Sequence, residues 1–422
     1  MYRIIIVHPS HRLEIEDESA DQIKAGKWRV RRERPGRLMS ATVPASTKVR
    51  CRSFLFSSHL VFSSTPFSQA SLLFSQFHTR STMTATNGNS PTRLWADGPS
   101  VPLITAMNDD ESINYEALAK QTVRLAKAGM GIVLLGTNGE ASHLSPEERK
   151  KCTVVVRKAL DDAGFADAPL LVGTGAGSAQ TTIQVTKEAA EAGASHSIVI
   201  TPGYFSFAMG RDRQAIKDFF IKVFDESPIP VMIYNFPGAA AGIDLTSDEI
   251  IELSNHPNCF GVKLTCAMIG KGHRIAAYTQ SEAYLAKQSA SLKASTVTGQ
   301  FQVLPGFSES TLPALISRHT GCITGTGNAI PKTIRKLWES SVKGVKGDAK
   351  ALAEALELQD RVAEADWTIV KAGIQGTKYF LDHYVEKGLG GPARLPLGTI
   401  SPETKKLIEV DLKSAWEFEQ SL

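Results

Sequence analysis

From Val101 onward the chain alternates short apolar, β-branched runs with longer amphipathic stretches, and it does so eight times. The runs cover residues 101–107, 131–136, 169–173, 197–201, 230–234, 260–264, 301–304 and 322–324. A continuous apolar run, without polar alternation, is what a parallel strand buried on both faces requires. The stretches between the runs carry helix signals. Ser145-Pro146-Glu147-Glu148 supplies an N-cap, a proline in the first turn and acids at the positive end of the helix dipole. Residues 110–129, 178–193 and 246–254 follow the same logic. Eight strand–helix units close most naturally into a (β/α)8 barrel, the TIM barrel of the α/β class. An open doubly wound sheet is the competing arrangement, but the Gly-rich dinucleotide turn it would need after the first strand is missing. Beyond Pro331 the pattern is helical almost to the end, with segments at 348–366 and 367–385. The expected organisation is a barrel over 96–335 and a C-terminal helical extension over 336–422. One connection is unusual. Residues 265–300 are long for a strand-to-strand link and hold a single acid, Glu282. They read as an inserted loop or a gene-model artefact, and an insertion folded over the site would alter access to it.

Charge separates the first 95 residues from this body. The chain has 422 residues and a formal net charge of +4. Residues 1–96 hold 14 Lys/Arg against 6 Asp/Glu, whereas residues 97–422 hold 33 against 37. No acid occurs between Met39 and Ala96, and the stretch 52–80 is rich in Ser and Phe. A positive, Ser-rich, acid-free N-terminus has the composition of an organelle transit peptide. It is equally a translated leader ahead of an internal start at Met83 or Met39. Residues 1–95 are therefore set outside the fold as a disordered leader. The protein is cytoplasmic if translation starts at Met83 and mitochondrial if the leader is real, with the cytoplasmic reading preferred. No apolar run reaches the roughly 18 residues a spanning helix needs, so no membrane partner is expected. A nucleic-acid partner would need a basic stripe on the folded body, and that body is net acidic. The five cysteines, Cys51, Cys152, Cys259, Cys266 and Cys322, form no CxxC pair. They fit a reducing compartment better than a disulfide framework. The histidines are scattered singly, without HExxH or HxH, so no protein-bound metal is expected.

In a barrel of this kind the chemistry sits at the C-terminal ends of the strands. There the sequence places Gly136-Thr137-Asn138-Gly139-Glu140 after strand two and Thr201-Pro202-Gly203-Tyr204 after strand four. Tyr234-Asn235-Phe236-Pro237 ends strand five, Lys263 ends strand six, and Gly306 follows strand seven. A lysine in an apolar parallel strand is desolvated, which favours the neutral amine that attacks carbonyls. The plainer account is a strand-end lysine that snorkels to solvent. Tyr234 suits a proton shuttle at a forming carbinolamine, or is simply a core tyrosine. The Thr137 hydroxyl, the Asn138 amide and the exposed N–H groups of the turn suit a carboxylate, although a lone Gly-rich turn is a weak signal. Tyr204 is a hydroxyl relay or a packing aromatic.

Together these residues are far more specific than any one of them. With GTNGE (136–140), TPGY (201–204), YNFP (234–237), GVKLT (261–265), Ile323, Gly325, Asn328 and the GPARLPL segment (391–397), the chain resembles the dihydrodipicolinate synthase and N-acetylneuraminate lyase family. The resemblance runs from about Val101 to about Leu397. It implies pyruvate-handling class I aldolase chemistry with no metal and no external cofactor. Lys263 would form the imine with a 2-keto acid, and Tyr234 would relay protons. Thr137 would link Tyr234 to Tyr204, which in the family reaches into the neighbour's site across a tight dimer. Thr137 and Asn138 would hold the pyruvate carboxylate, and Gly306 and Ile323 would line the pocket with backbone. A homotetramer built from dimers is the implied assembly. The synthases usually carry an arginine just after YNxP, and here Pro237-Gly238-Ala239-Ala240-Ala241-Gly242 holds no cation. A small uncharged pocket suits a polyhydroxy aldehyde better than a second carboxylate. Together with His143-Leu144-Ser145 and KLTC (263–266), this resembles the branch that cleaves 2-keto-3-deoxy-hexonates such as L-threo-3-deoxy-hexulosonate. A 4-hydroxy-2-oxoglutarate aldolase is the close competitor. The synthase, a keto-deoxy sugar acid dehydratase and a non-catalytic binding relative remain as further alternatives.

Overall fold

The computed structural model describes residues 93–422 apart from 210 and 211, together with the backbone of four strands nearer the N-terminus. Those four strands, Arg3–His8, His11–Glu16, Arg29–Arg34 and Arg37–Thr42, pair consecutively as an antiparallel meander. They belong to a unit separate from the rest of the chain. The Ser- and Phe-rich stretch 52–80 and Cys51 lie outside the described residues.

The second unit is a parallel barrel. Its strands are β1 (Gly98–Pro102), β2 (Gly131–Leu134), β3 (Leu170–Gly173), β4 (His196–Ile200), β5 (Val231–Asn235), β6 (Cys259–Leu264), β7 (Gln302–Pro305) and β8 (Gly321–Ile323). From β1 to β7 neighbours in sequence pair in parallel, and β8 pairs with β1. Thr320 closes the ring against β7: its N–H donates to the Val303 carbonyl at 3.0 Å, and its hydroxyl accepts from the Val303 N–H at 3.1 Å. Nearly every strand residue is buried, which is why the runs lack alternation. The first strand starts and stops earlier than the apolar run 101–107 suggests. Residues 103–107 continue as a buried extended segment toward the mouth.

Helix starts follow the local chemistry. Ser145 and Glu148 form a reciprocal capping box for Pro146–Asp162, and Thr246 and Glu249 do the same for Ser247–Ser254. Asn114 caps Tyr115–Lys127, and Ser178 caps Ala179–Glu191. The eighth barrel helix is Pro331–Val345. The long helix Ala349–Phe380 follows, broken at Gly373, where φ is 68° and ψ −161°. Its break falls later than the 366/367 boundary read from sequence. Helices Pro402–Asp411 and Lys413–Ser421 complete the C-terminal region.

The long link before β7 is folded, and it lies at the end of the barrel away from the expected site. It forms three helices, Ile269–Thr279, Glu282–Lys287 and Ala290–Lys293. The Tyr284 hydroxyl donates to the Ser254 carbonyl at 2.7 Å, and the Ser291 hydroxyl to the Pro257 carbonyl at 2.8 Å. The Ser295 carbonyl accepts from the Trp95 N–H at 3.0 Å and from His196 Nε2 at 2.9 Å. Trp95 precedes β1, Pro257 precedes β6 and His196 opens β4, so all three mark the N-terminal face. The expectation that this segment could cover the site is thus corrected. The helix Ile269–Thr279 returns the chain to the face where β7 must start, and the extra residues stay there. Trp95 itself is buried and bridges to Thr296.

Candidate active site

Parallel register sets the centre of the site. Lys263 on β6 is paired directly with Tyr234 on β5, so both side chains occupy one layer. Lys263 is 6% exposed, and its Nζ stands 4.4 Å from the centroid of the Tyr234 ring. Tyr234 stacks on Phe236 at 5.8 Å, which fixes the ring. Its hydroxyl lies 3.3 Å from Thr137 Oγ1 on the turn after β2. Three of the residues singled out from sequence therefore converge from three strand ends.

They line a cleft of about 290 Å³. Its apolar walls include Val133, Leu135, Ile198, Ile200, Ala239, Ile374 and Leu397. The other residues expected at the site stand outside this wall. Asn138 directs its amide at Gly325, where a Cβ would come within 2.6 Å of its Nδ2. Ile323 is fully buried in the core. Gly306 donates its N–H to the Leu264 carbonyl at 3.1 Å, and a Cβ there would meet Thr265 Oγ1 at 2.1 Å. That crowding is why the position is glycine. Tyr204 is 84% exposed and packs edge-on against Phe205. Within one chain it does not join the cleft.

What the sequence did not reveal is how far the C-terminal region builds this site. Glu140, the last residue of the GTNGE turn, is held at φ 51° with its carboxylate fully buried. Its Oε1 accepts from Lys378 Nζ at 2.7 Å, and its Oε2 from the Arg394 backbone N–H at 2.9 Å. The His143 ring sits 3.3 Å from the same Oε2. Burial pushes the Lys378 ammonium below the usual lysine range, and Glu140 pulls it back only in part. Arg394 also donates to both oxygens of Glu148, at 2.8 and 2.5 Å. Asp382 accepts the N–H groups of Gly388, Gly390 and Gly391 and shapes the loop that carries Arg394. Gly391 has φ 68°, and a Cβ there would meet the Met107 carbonyl at 1.8 Å, so the loop can lie flat on the barrel mouth. Asp366 performs the same service on the far side. It accepts from the Thr326 hydroxyl and from the Glu309 N–H, tying down the turns after β7 and β8. Burial raises its carboxyl above the ordinary range. One signal was available for Lys378: it is a lysine in helical register with the apolar Ile374 and Leu381.

Cys152 and Cys322 are buried, with thiols pushed up to about 12 by desolvation, so they stay protonated and take no part in the chemistry. Among the described residues no group of three or more His, Cys, Asp or Glu side chains is placed to hold a metal ion. No helix among them is long and apolar enough to cross a membrane.

A buried lysine stands against a phenol at the C-terminal mouth of an eight-stranded parallel barrel, and the family match and the aldolase relatives that follow make this a lyase of the class I aldolase type. The chain belongs to the dihydrodipicolinate synthetase family, which matches residues 96–415. It is 38% identical to an L-threo-3-deoxy-hexylosonate aldolase of Aspergillus niger over 74% of this chain and 92% of that one. It is 37% identical to an Emericella nidulans protein that is named a mitochondrial 4-hydroxy-2-oxoglutarate aldolase, over 77% and 96% of the two chains. Among solved structures, a dihydrodipicolinate synthase family protein from Coccidioides immitis superposes with a TM-score of 0.64 at 30% identity. That match covers 78% of this chain and 99% of the other.

Proposed function

We propose that this chain is a lysine-imine aldolase that cleaves a 2-keto-3-deoxy sugar acid, such as L-threo-3-deoxy-hexulosonate, to pyruvate and glyceraldehyde. The observation that carries the reading is the Lys263–Tyr234–Thr137 contact set inside one cleft. The Nζ of Lys263 attacks the C2 carbonyl, and the carbinolamine loses water to give the iminium. Tyr234, oriented by Thr137, moves the protons of that step. It then takes the proton of the C4 hydroxyl. The C4–O bond becomes the aldehyde carbonyl as the C3–C4 electrons pass into the iminium. The resulting enamine is protonated at C3 and hydrolysed to pyruvate. Thr137 holds the keto acid carboxylate from the cleft wall, and Asn138, Gly306 and Ile323 support that wall from behind. No step draws on a metal or a bound cofactor.

Ala239 supports the sugar-acid substrate over aspartate semialdehyde, since it lines the cleft at the position after YNxP where the synthases carry a cation. The similarity to the Emericella nidulans protein supports 4-hydroxy-2-oxoglutarate as the second substrate to assay. Tyr204 serves a neighbouring subunit, and its exposure beside the exposed Phe205 and Phe207 supports that assignment. The assembly is a homotetramer of dimers. Translation from Met83 gives a cytoplasmic enzyme and translation from Met1 a mitochondrial one.

Borohydride reduction in the presence of pyruvate tests the mechanism. The intact protein gains one reduced pyruvyl adduct, and Lys263→Ala gains none. An unmodified wild type, or a label retained by the variant, overturns it. Pyruvate and aldehyde release from a panel of 2-keto acids ranks the substrates. Release of water without pyruvate would instead identify a dehydratase.

A further inference from the structure

The cleft walls contain six polar side chains: Thr137, Glu140, Ser142, His143, Tyr234 and Lys263. Four of them are committed. Lys263 is consumed by the imine, and Thr137 and Tyr234 hold one another. Both carboxylate oxygens of Glu140 are occupied, by Lys378 and by the Arg394 N–H. Ser142 is an exposed hydroxyl at the rim. That leaves the His143 ring. Glu140 can only accept, so the hydrogen bond to Nδ1 places the proton on Nδ1. In the neutral tautomer the Nε2 lone pair is then an acceptor, and Nε2 makes no hydrogen bond among the described residues. The ring is also held in place: Arg394 donates to the His143 carbonyl at 2.9 Å, and the buried Glu140 fixes the imidazole edge. Everything else on the wall is apolar or glycine.

We infer that His143 is the specificity residue for the aldehyde half of the substrate, accepting a hydrogen bond from a hydroxyl beyond C4. This rests on the aldolase reading above. It deepens that reading by assigning a selection between two substrate ends. A lone-pair acceptor takes a polyol hydroxyl, whereas a terminal carboxylate has no hydrogen to offer it. An apolar wall cannot make that distinction strongly, but a site built around a hydrogen bond can.

The test pairs two substrates with three proteins at pH 8, where an ordinary imidazole is uncharged. L-threo-3-deoxy-hexulosonate carries hydroxyls beyond C4, and 4-hydroxy-2-oxopentanoate carries none. His143→Leu should lower kcat/KM for the hexulosonate about tenfold, mostly through KM, and change the truncated substrate less than about twofold. His143→Gln, which keeps an acceptor, should recover most of the loss. Pyruvate trapping on Lys263 should be the same in all three. An equal loss on both substrates, or no loss on either, overturns the assignment, because a structural role does not distinguish them. So does a wild type that shows no preference for the hexulosonate, or a His143→Leu variant that loses more on 4-hydroxy-2-oxoglutarate. If wild-type protein fails to trap pyruvate at all, the aldolase reading falls and this inference falls with it.

Discussion

Three residues assigned to the chemistry from the sequence stand together in the structure. Lys263, Tyr234 and Thr137 are residue types out of keeping with the apolar runs or turns that bear them, and the structure brings them into contact. Tyr234→Phe should reduce turnover by about a hundredfold or more, the usual range for a positioned proton-transfer group, while slowing imine formation far less. Single-turnover borohydride trapping beside steady-state pyruvate release separates the two effects, and equal rates in both assays would remove the role. Glu140 was legible only as part of a turn. Its partner Lys378 lies 238 positions away, and no local pattern joins them. The pair is fully buried, at 0% and 1% side-chain exposure, so removing one partner strands a charge. Lys378→Met should cost about 3 kcal/mol in urea unfolding, and adding Glu140→Gln should recover part of that loss. Strictly additive losses would mean that the contact contributes nothing of its own.

Elements were read from local signals wherever the signals are local. The Ser145 capping box is present with both of its hydrogen bonds, as the sequence pattern requires. Yet Glu148 in that box also binds Arg394 from the far end of the chain, a use no capping rule anticipates. Residues 265–300 offered no dominant periodicity and read as a loop or an artefact. They are three short helices whose contacts, at Ser254, Pro257, Trp95 and His196, come entirely from tertiary structure. His196 ties this element to the barrel. It is buried, its Nε2 donates to the Ser295 carbonyl, and desolvation lowers its pKa to about 4. The sign of the pH effect follows. The folded ring resists the proton that the unfolded ring takes up at about 6.5, so this contribution is complete above pH 6.5. It is lost as pH falls toward 4, and amounts to ~2 kcal/mol by pH 5. Thermal unfolding at fixed protein concentration should show the midpoint dropping between pH 7 and 5, and the drop should be smaller in His196→Gln. Parallel curves for the two proteins would show that His196 is not the group responsible.

For the whole molecule, a net charge of +4 describes no surface at all. It sums a positive N-terminal segment and a mildly acidic enzyme body. Tyr204 belongs to this scale, because it is exposed in one chain and is assigned to a neighbour's site. If sites are shared across a dimer, mixing Tyr204→Phe with Lys263→Ala rebuilds one intact site per mixed dimer. Activity should return to about a quarter of wild type after subunit exchange, the share a symmetric dimer dictates. Continued inactivity of the mixture, with exchange verified by mass, would place all the chemistry within single chains. The sequence by itself determined the barrel, its strand order and the lysine and tyrosine at its mouth. Buried parallel strands and helix caps write themselves into adjacent residues, and eight repeats leave few ways to close. Only the tertiary structure decided that the C-terminal region lines the cleft, that the insertion lies on the opposite face, and that the His143 ring is held by Glu140 at the cleft wall. Those outcomes depend on contacts between residues far apart in the chain, and a buried carboxylate or a fixed imidazole exists only once the partners that desolvate and orient it have arrived.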